Sequence, residues 1–490
     1  DVVELLCSPA ALGALAAVLA LAAQGPGRTA EAADASGPET SARDRPSGEP
    51  YRLSGNRIVF TNWYYVRPGS HAWVDDAGNG VSASREAKIE DFGAHFRTFD
   101  MPRGVRIVAQ PAARRSDVIA PEKPWEKRFQ VATLIQDGGK LRFWGGCPRD
   151  CYLESADGVT WQRPNLGLIE FEGSKENNLC PGVPGGFLFI DPSAPDRERY
   201  KALGVDSITQ EQFDEYRERR PHDWEPRAIR HDVGQIYALK GFTSADGLNW
   251  TDCGVLSVEH ADTQNTGYYD EHLRKYVLYT RTWWVGEQDP SARDGLSPDA
   301  CWISPGRRSI GRSESPHFGD FPVSRAVVVP PPDLLPSEVL YTNCKTTVPG
   351  QPDNHLMFPA VWNMDSDDTR IAMLSSTDGR AWQWVPGGTV LETGPFGSFD
   401  GGAIFAIPNL VELSNGDFAL PYNGYRFPHK YPRGGEGFPP NLGFATWPKG
   451  RLCAIEAEGV GEFTTVGFIP PGNKLRINAL TKRGGSILVE

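Results

Sequence analysis

The sequence predicts an all-β protein of the propeller class, and three observations carry that prediction. From Tyr51 onward, short apolar runs alternate with Gly, Asp, Asn and Pro. The 53 Gly and 41 Pro among 490 residues favour sheets and turns over helices. One turn is also written three times, as "ESADGVTWQRP" (154–164), "TSADGLNWTD" (243–252) and "SSTDGRAWQW" (375–384). Its Ser and Asp suit bonds to backbone amides, its Gly supplies a positive φ, and its Trp anchors the returning strand. Asp157, Asp246 and Asp378 are spaced close to two and three units of about 44 residues, the repeat of a propeller blade.

Strands are expected at 57–60, 104–109, 130–135, 140–144, 168–171, 237–242, 276–281 and 326–329, then at 371–374, 403–406, 418–422, 443–447 and 463–468. Each is a short apolar run bounded by turn residues. "IQDGGKLRF" and "LSNGDFALP" read as hairpins. Helical periodicity is confined to "QEQFDEYRERR" (210–220), which reads as a short surface helix.

Residues 1–50 are expected to lie outside the fold. Ala10–Ala23 is apolar and alanine-rich, of the length of a signal h-region and short for a bilayer span. The leader carries Asp1 and Glu4 in place of a positive n-region; residues 24–50 read as a flexible linker. The expected organisation is therefore 1–50 signal-like segment and linker, 51–465 propeller, and 466–490 the start of a further β unit or closing strands. Export is expected, to the periplasm, the cell surface or the medium, with no stable membrane span after processing.

A formal charge of -12 and the absence of a basic stripe argue against nucleic-acid binding. No P-loop or dinucleotide fingerprint is present, so no cofactor is expected, although carbonyls and carboxylates of a propeller channel suit a structural calcium. Of the eight cysteines, Cys147 and Cys151 alone are close, with three residues between them. That spacing leaves a local disulfide or free thiols open and gives no zinc knuckle.

Several segments resemble a group of secreted bacterial, planctomycete-type proteins described as similar to the N-terminal five-bladed propeller of glycoside hydrolase family 32, in the family 32/43-like clan. They include "PWEKRFQVATLIQDGGKLRFW" (124–144), "YLESADGVTWQRPNLGLIEFEGSKENN" (152–178), "DTQNTGYYDEHLRKYVLYTR" (262–281), "GRRSIGRSESPHF" (306–318), "NHLMFPAVW" (354–362), "GSFDGGAIFAIP" (397–408) and "LRINALTKRGGSILVE" (475–490). The resemblance implies a five-bladed β-propeller with the start of a C-terminal β-sandwich. It also implies carbohydrate chemistry, but the Trp-Met-Asn-Asp-Pro-type segment and Arg-Asp-Pro triplet of invertase-like enzymes are absent.

Hydrolysis of a glycosidic bond needs one carboxyl to protonate the leaving oxygen and one carboxylate to attack or to activate water. A propeller gathers loops from distant blades around one funnel, so the acids in non-hairpin contexts are the candidates. Asp262 shares a loop with Gln264 and Asn265, amides suited to sugar hydroxyls; Asp262 also reads as a turn acid. Glu314 lies among Arg307, Arg308 and Arg312, as a proton donor or as an ion-pair partner of Arg308 or Arg312. Asp400 sits between Phe399 and two glycines, with the alternative of a capping Asp in a bulge. Asp91 is the candidate for the missing N-terminal acid. Arg281 and His355 end apolar strands, where a funnel-facing group is expected. The catalytic candidates are thus Asp262, Glu314 and Asp400, and the substrate-binding candidates Asp91, Gln264, Asn265, Arg281, Arg308, His355 and Phe399.

Three function classes remain open on the sequence. A glycoside hydrolase uses a pair of funnel carboxylates; a non-catalytic propeller binds a glycan or a protein; a lyase or sulfated-glycan enzyme uses the arginines to neutralise an acidic sugar.

Overall fold

Strands that follow one another in sequence pair antiparallel into five successive sheets in the computed structural model, which describes residues 2–6, 50–80, 95–116, 118–230, 233–284, 307–431 and 440–489. Strand β1 (Ala113–Arg115) precedes the first blade, which is β2 (Glu126–Asp137), β3 (Lys140–Pro148) and β4 (Asp150–Ser155). The second blade contains β5 (Phe187–Ile190) and β6 (Tyr200–Ile208), then helix α1 (Gln210–Arg219), β7 (Gln235–Ser244) and β8 (Thr251–Ser257). The third is β9 (Thr266–Asp270), β10 (Lys275–Trp284), β11 (Arg307–Ser315) and β12 (Arg325–Val328). The fourth has broken inner strands: β13 (Glu338–Leu340), β14 (Lys345–Val348), β15 (Gln351–Met357), β16 (Ala360–Asn363), β17 (Thr369–Ser376) and β18 (Gln383–Leu391). The fifth is β19 (Ala403–Ala406), β20 (Val411–Glu412), β21 (Phe418–Tyr425) and β22 (Asn441–Trp447).

The sheets close into a ring. Strand β2 lies against β5, β5 against β9, β11 against β13, β17 against β19, and β21 and β22 against β2. Strand β1 pairs with β22, Ala113 opposite Thr446 and Arg115 opposite Phe444, so the outer edge of the last blade comes from the N-terminal side of the first. The fold is therefore a five-bladed β-propeller. Between blades the sheet faces bury large side chains: Phe129 and Phe143 with Leu413 and Phe444, Phe189 and Leu203 with Leu278 and Phe321, and Tyr279 with Met357 and Leu374. Each such fully buried side chain contributes roughly 2–3 kcal/mol by leaving water.

The thrice-written turn follows β4 in the first blade, joins β7 to β8 in the second and joins β17 to β18 in the fourth. In each copy the Ser hydroxyl accepts two backbone amides and the Asp carboxylate two more: Ser155 from Asp157 and Gly158, Asp157 from Val159 and Thr160. Ser244 with Asp246, and Ser376 with Asp378, repeat the pattern. Gly158, Gly247 and Gly379 hold φ of 73°, 77° and 65°. The spacing reading needs correction, because the first interval is a single blade and the second is two. The blades are longer than 44-residue units because insertions such as α1, capped by Thr209 and Gln212, lie between their strands.

The compact unit holding these five sheets comprises residues 109–349 and 353–453. Residues 51–108, expected within the propeller, fall in a second unit with 350–352 and 454–490. Its sheets are unclosed pairs, in keeping with the opening strands of a sandwich: Val2–Leu6 with Lys474–Asn478, Tyr51–Arg52 with Phe468–Ile469, and Ser70–Val74 with His95–Phe99. The apolar run Ala10–Ala23 and Asp91 lie outside the described residues. Among those residues no helix is long and apolar enough to cross a membrane.

Candidate functional site

Strand direction decides which side chains meet. Strand β9 runs away from the loop 259–265, β10 returns towards it, and β11 leaves again. Arg281 near the end of β10 and Arg308 at the start of β11 therefore stand beside Asp262. The Asp262 carboxylate is 48% exposed, whereas the side chains of Arg281, which holds it, and of His260 beside it are 4% and 6% exposed. Arg281 Nη1 bonds Asp262 Oδ1, its Nη2 bonds the His260 carbonyl, and His260 Nε2 lies 3.8 Å from Asp262 Oδ2. Burial first, and then the charge of Arg281, hold the imidazole below its ordinary pKa, so it is neutral at pH 7.

Two neighbouring groups complete the site. On one side the His260 ring stacks on Tyr237 at 4.9 Å, and its backbone amide donates to Glu225 Oε2 at 2.9 Å. Glu225 pairs with Arg227 at 2.5 Å, and Arg227 lies over the Trp283 ring. On the other side Arg308 Nη2 donates to Thr263 Oγ1 and to the Tyr341 carbonyl, both at 2.9 Å, with the guanidinium 3.8 Å from the Tyr341 ring centre. Tyr341 meets His429 at 4.5 Å, and Trp362 and Phe405 at 5.5 Å each. A half-exposed carboxylate thus sits on the buried Arg281 guanidinium, with Arg308 near its loop, between two sets of mostly half-buried aromatic rings. Such a surface suits a polyhydroxylated ring, whose faces stack on aromatics and whose hydroxyls bond charged groups.

The sequence candidates divide. Asp262, Arg281 and Arg308 come together. Glu314 lies on β11 opposite Val277, roughly 20 Å along the strand from Arg308. It is held by Arg312, by Arg380 at 2.5 Å and by Lys275 at 3.5 Å. Burial would raise its pKa, but the Arg380 bond and the charges of Arg312 and Arg380 outweigh it and keep the carboxyl below its usual range, unlike a proton donor. Asp400 is fully buried, bound by Arg114 Nε at 2.6 Å, Tyr422 hydroxyl at 2.8 Å and Ser398 Oγ at 2.8 Å. The three acids thus hold separate sets of partners instead of converging.

The remaining candidates are engaged within the protein. Gln264 donates to Ala406 O at 2.8 Å and accepts from Cys344 N at 2.5 Å, bridging the third, fifth and fourth blades. Asn265 bonds the carbonyls of Ala261 and Thr263, which shapes the Asp262 loop. His355 packs on Tyr268 and Phe399 stacks on Tyr422. Of the arginines near Glu314, Arg307 donates to the carbonyls of Leu335 and Glu338. The sequence reading missed His260, Glu225, Arg227, Tyr237, Tyr341 and His429. "EHADTQN", with His two residues before Asp, is the one local signal that pointed to any of them.

Among the described residues two carboxyl groups are raised in pKa, and neither is bonded to Asp262. Glu259 is sealed beneath the loop, pushed up to about 7 by burial. Asp150 is raised by burial and lines a cavity of about 520 Å³ with Trp250 and Gly182, between the first two blades. No three His, Cys, Asp or Glu side chains gather as a metal site among the described residues. Cys147, Cys151 and Cys180 are buried free thiols, which decides against the local disulfide.

No family model matches the chain, and no curated protein matches it. Solved structures do. A structure described as a glycoside hydrolase is 12% identical with a TM-score of 0.40, over 73% of this chain and 96% of its own. An N-acetylgalactosamine deacetylase from F. plautii, solved with blood group B trisaccharide, is 12% identical with a TM-score of 0.39, over 70% and 95%. A GH32 beta-fructofuranosidase of Bombyx mori is 12% identical with a TM-score of 0.30, over 54% and 47%. These scores are too low to carry over the role of any residue.

Proposed function

We propose that this chain is an exported carbohydrate-active protein, and that the Asp262 cluster is its glycan site. The observation that carries the reading is a half-exposed carboxylate fixed by Arg281, with His260 beside it, between the aromatic groups of Tyr237 and Trp283 and of Tyr341, Trp362 and His429. In a glycoside hydrolase built on this site, Asp262 is the ionised carboxylate that attacks the anomeric carbon or activates water. The Arg281 guanidinium orients it.

A second reading, glycan binding without hydrolysis, is favoured by one observation. Of the two described carboxyl groups of raised pKa, Glu259 is buried on the hydroxyls of Ser257, Thr280 and Ser324, and Asp150 lines a different cavity with Gly182 and Trp250, so neither is placed to protonate a leaving group at Asp262. A glycan depolymerisation screen of wild type beside Asp262→Asn, with Asp400→Asn and Glu314→Gln as controls, separates the readings. Cleavage lost in Asp262→Asn alone supports hydrolysis. Binding without cleavage in the wild type, weakened by Asp262→Asn, supports the second reading.

A further inference from the structure

Among the described residues the charges around Asp262 do not balance. Arg227 faces Glu225 and Arg281 faces Asp262, each as an ion pair. Arg308 is 7% exposed and, among the described residues, has no carboxylate within ion-pair distance. Its Nη2 is spent on Thr263 Oγ1 and the Tyr341 carbonyl, while Nε is buried without an acceptor. Among the described residues Nε of Arg281 likewise has no acceptor, and Nδ1 of His260 is buried without a hydrogen-bond partner. A guanidinium taken out of water without a counter-charge costs folding free energy, and a neutral oxygen and an aromatic face recover only part of it. Burial and the nearby charge of Arg281 hold Arg308 down to a pKa of about 10, still protonated at neutral pH. In a chain of net charge -12, this is a local cationic excess at the foot of a partly open, aromatic-flanked surface.

We infer that the Asp262 site takes an anionic sugar, with the carboxylate or sulfate ester of the substituent seated on Arg308 beside Arg281. The inference rests on the carbohydrate reading above and narrows it to a substrate class. Planar guanidinium groups are matched to carboxylate and sulfate oxygens, and a charge-assisted bond to a buried donor is stronger than a neutral one. Arg307 and Arg312 take no part: Arg307 is bound to carbonyls of the fourth blade, and Arg312 to Glu314.

The test is calorimetric titration of the wild-type chain with three trisaccharides: trigalacturonate, its neutral galactose counterpart, and a galactose trisaccharide carrying sulfate esters. Inorganic sulfate is a fourth arm. One of the two anionic sugars is expected to bind at least about tenfold more tightly than the neutral one, with the preference shrinking as salt rises. Which one prevails identifies the substituent. The preference is expected to vanish in Arg308→Gln and to be partly kept in Arg308→Lys, while inorganic sulfate binds weakly. Equal affinity for all three sugars in the wild type overturns the inference and leaves the glycan site standing. Binding that is unchanged in Asp262→Asn, or absent throughout, overturns both.

Discussion

Arg281 joins two parts of one loop: Nη1 holds the Asp262 carboxylate and Nη2 the carbonyl of His260, two residues upstream. The loop is thereby fixed from beneath by a side chain of the neighbouring strand. Asn265 fixes it from within, through the carbonyls of Ala261 and Thr263. An exposed carboxylate on so restrained a loop is pre-oriented for a ligand, which lowers the entropy lost on binding.

Asp400 gives the contrasting prediction. Its carboxylate is fully buried and its partners, Arg114, Tyr422 and Ser398, tie the fifth blade to the edge strand β1. Asp400→Ala is expected to destabilise the propeller by about 3 kcal/mol, since it strands buried donors. Chemical denaturation measures the loss. Glycan affinity of the folded fraction is expected to stay at the wild-type value, and a selective loss of affinity would return Asp400 to the binding site.

A pH effect on stability follows from Glu259. Its carboxyl meets the hydroxyls of Ser257 at 2.7 Å, and of Thr280 and Ser324 at 3.2 Å each. Burial raises it from 4.5 to about 7 in the folded protein. Between those values the folded state holds a proton that the unfolded state has released, so stability falls as pH rises through this window and levels off above it. Glu259→Gln is expected to flatten that part of the curve. Melting temperatures of the two proteins between pH 4.5 and 7.5 test it, and parallel curves would refute the assignment.

The repeated turn predicts a difference between two glycines. Gly379 has φ 65°, and a methyl there would lie 2.8 Å from the Tyr279 hydroxyl, which donates to the Gly379 carbonyl at 2.5 Å. Gly388 has φ 70° with nothing within 4 Å of the same position. Both Ala substitutions carry the left-handed backbone cost of about 1 kcal/mol, and Gly379→Ala is expected to lose roughly 1–2 kcal/mol more. Equal losses in urea would mean that the turn does not press on the third blade.

Thiol labelling separates the cysteines. Burial pushes Cys180 up to about 11, and the hydrogen bond with Cys147, with burial, pushes Cys151 up further. Cys253 is exposed. An alkylating reagent is expected to modify Cys253 in the native state, and Cys147, Cys151 and Cys180 only after unfolding. Fast native labelling of the buried three would show that the first two blades open readily.

What the sequence made legible was local. The Ser–Asp–Gly turn is specified by bonds among its own five residues, and the hairpin at Gly138 and Gly139 by their positive φ, so both could be read directly. The site was harder because its partners are set by ring closure and strand direction. Asp400 looked like a funnel acid among small residues; the arginine that engages it lies on β1, at the far end of the propeller sequence. Glu314 looked close to Arg308 in sequence, yet six residues along the extended strand β11 place them roughly 20 Å apart. Asp262 and Arg281 were readable because β9 and β10 form one hairpin, which returns the chain to its starting end.

The most direct measurement is a crystal structure of the chain soaked with the tightest-binding oligosaccharide from the titrations. A sugar ring between the Tyr237 and Tyr341 groups, with Asp262 in hydrogen-bond contact and an anionic substituent on Arg308, is the predicted result. A sugar bound instead in the Asp150–Trp250 cavity, or at Glu314 on the far end of the third blade, with the Asp262 loop empty, would contradict the account.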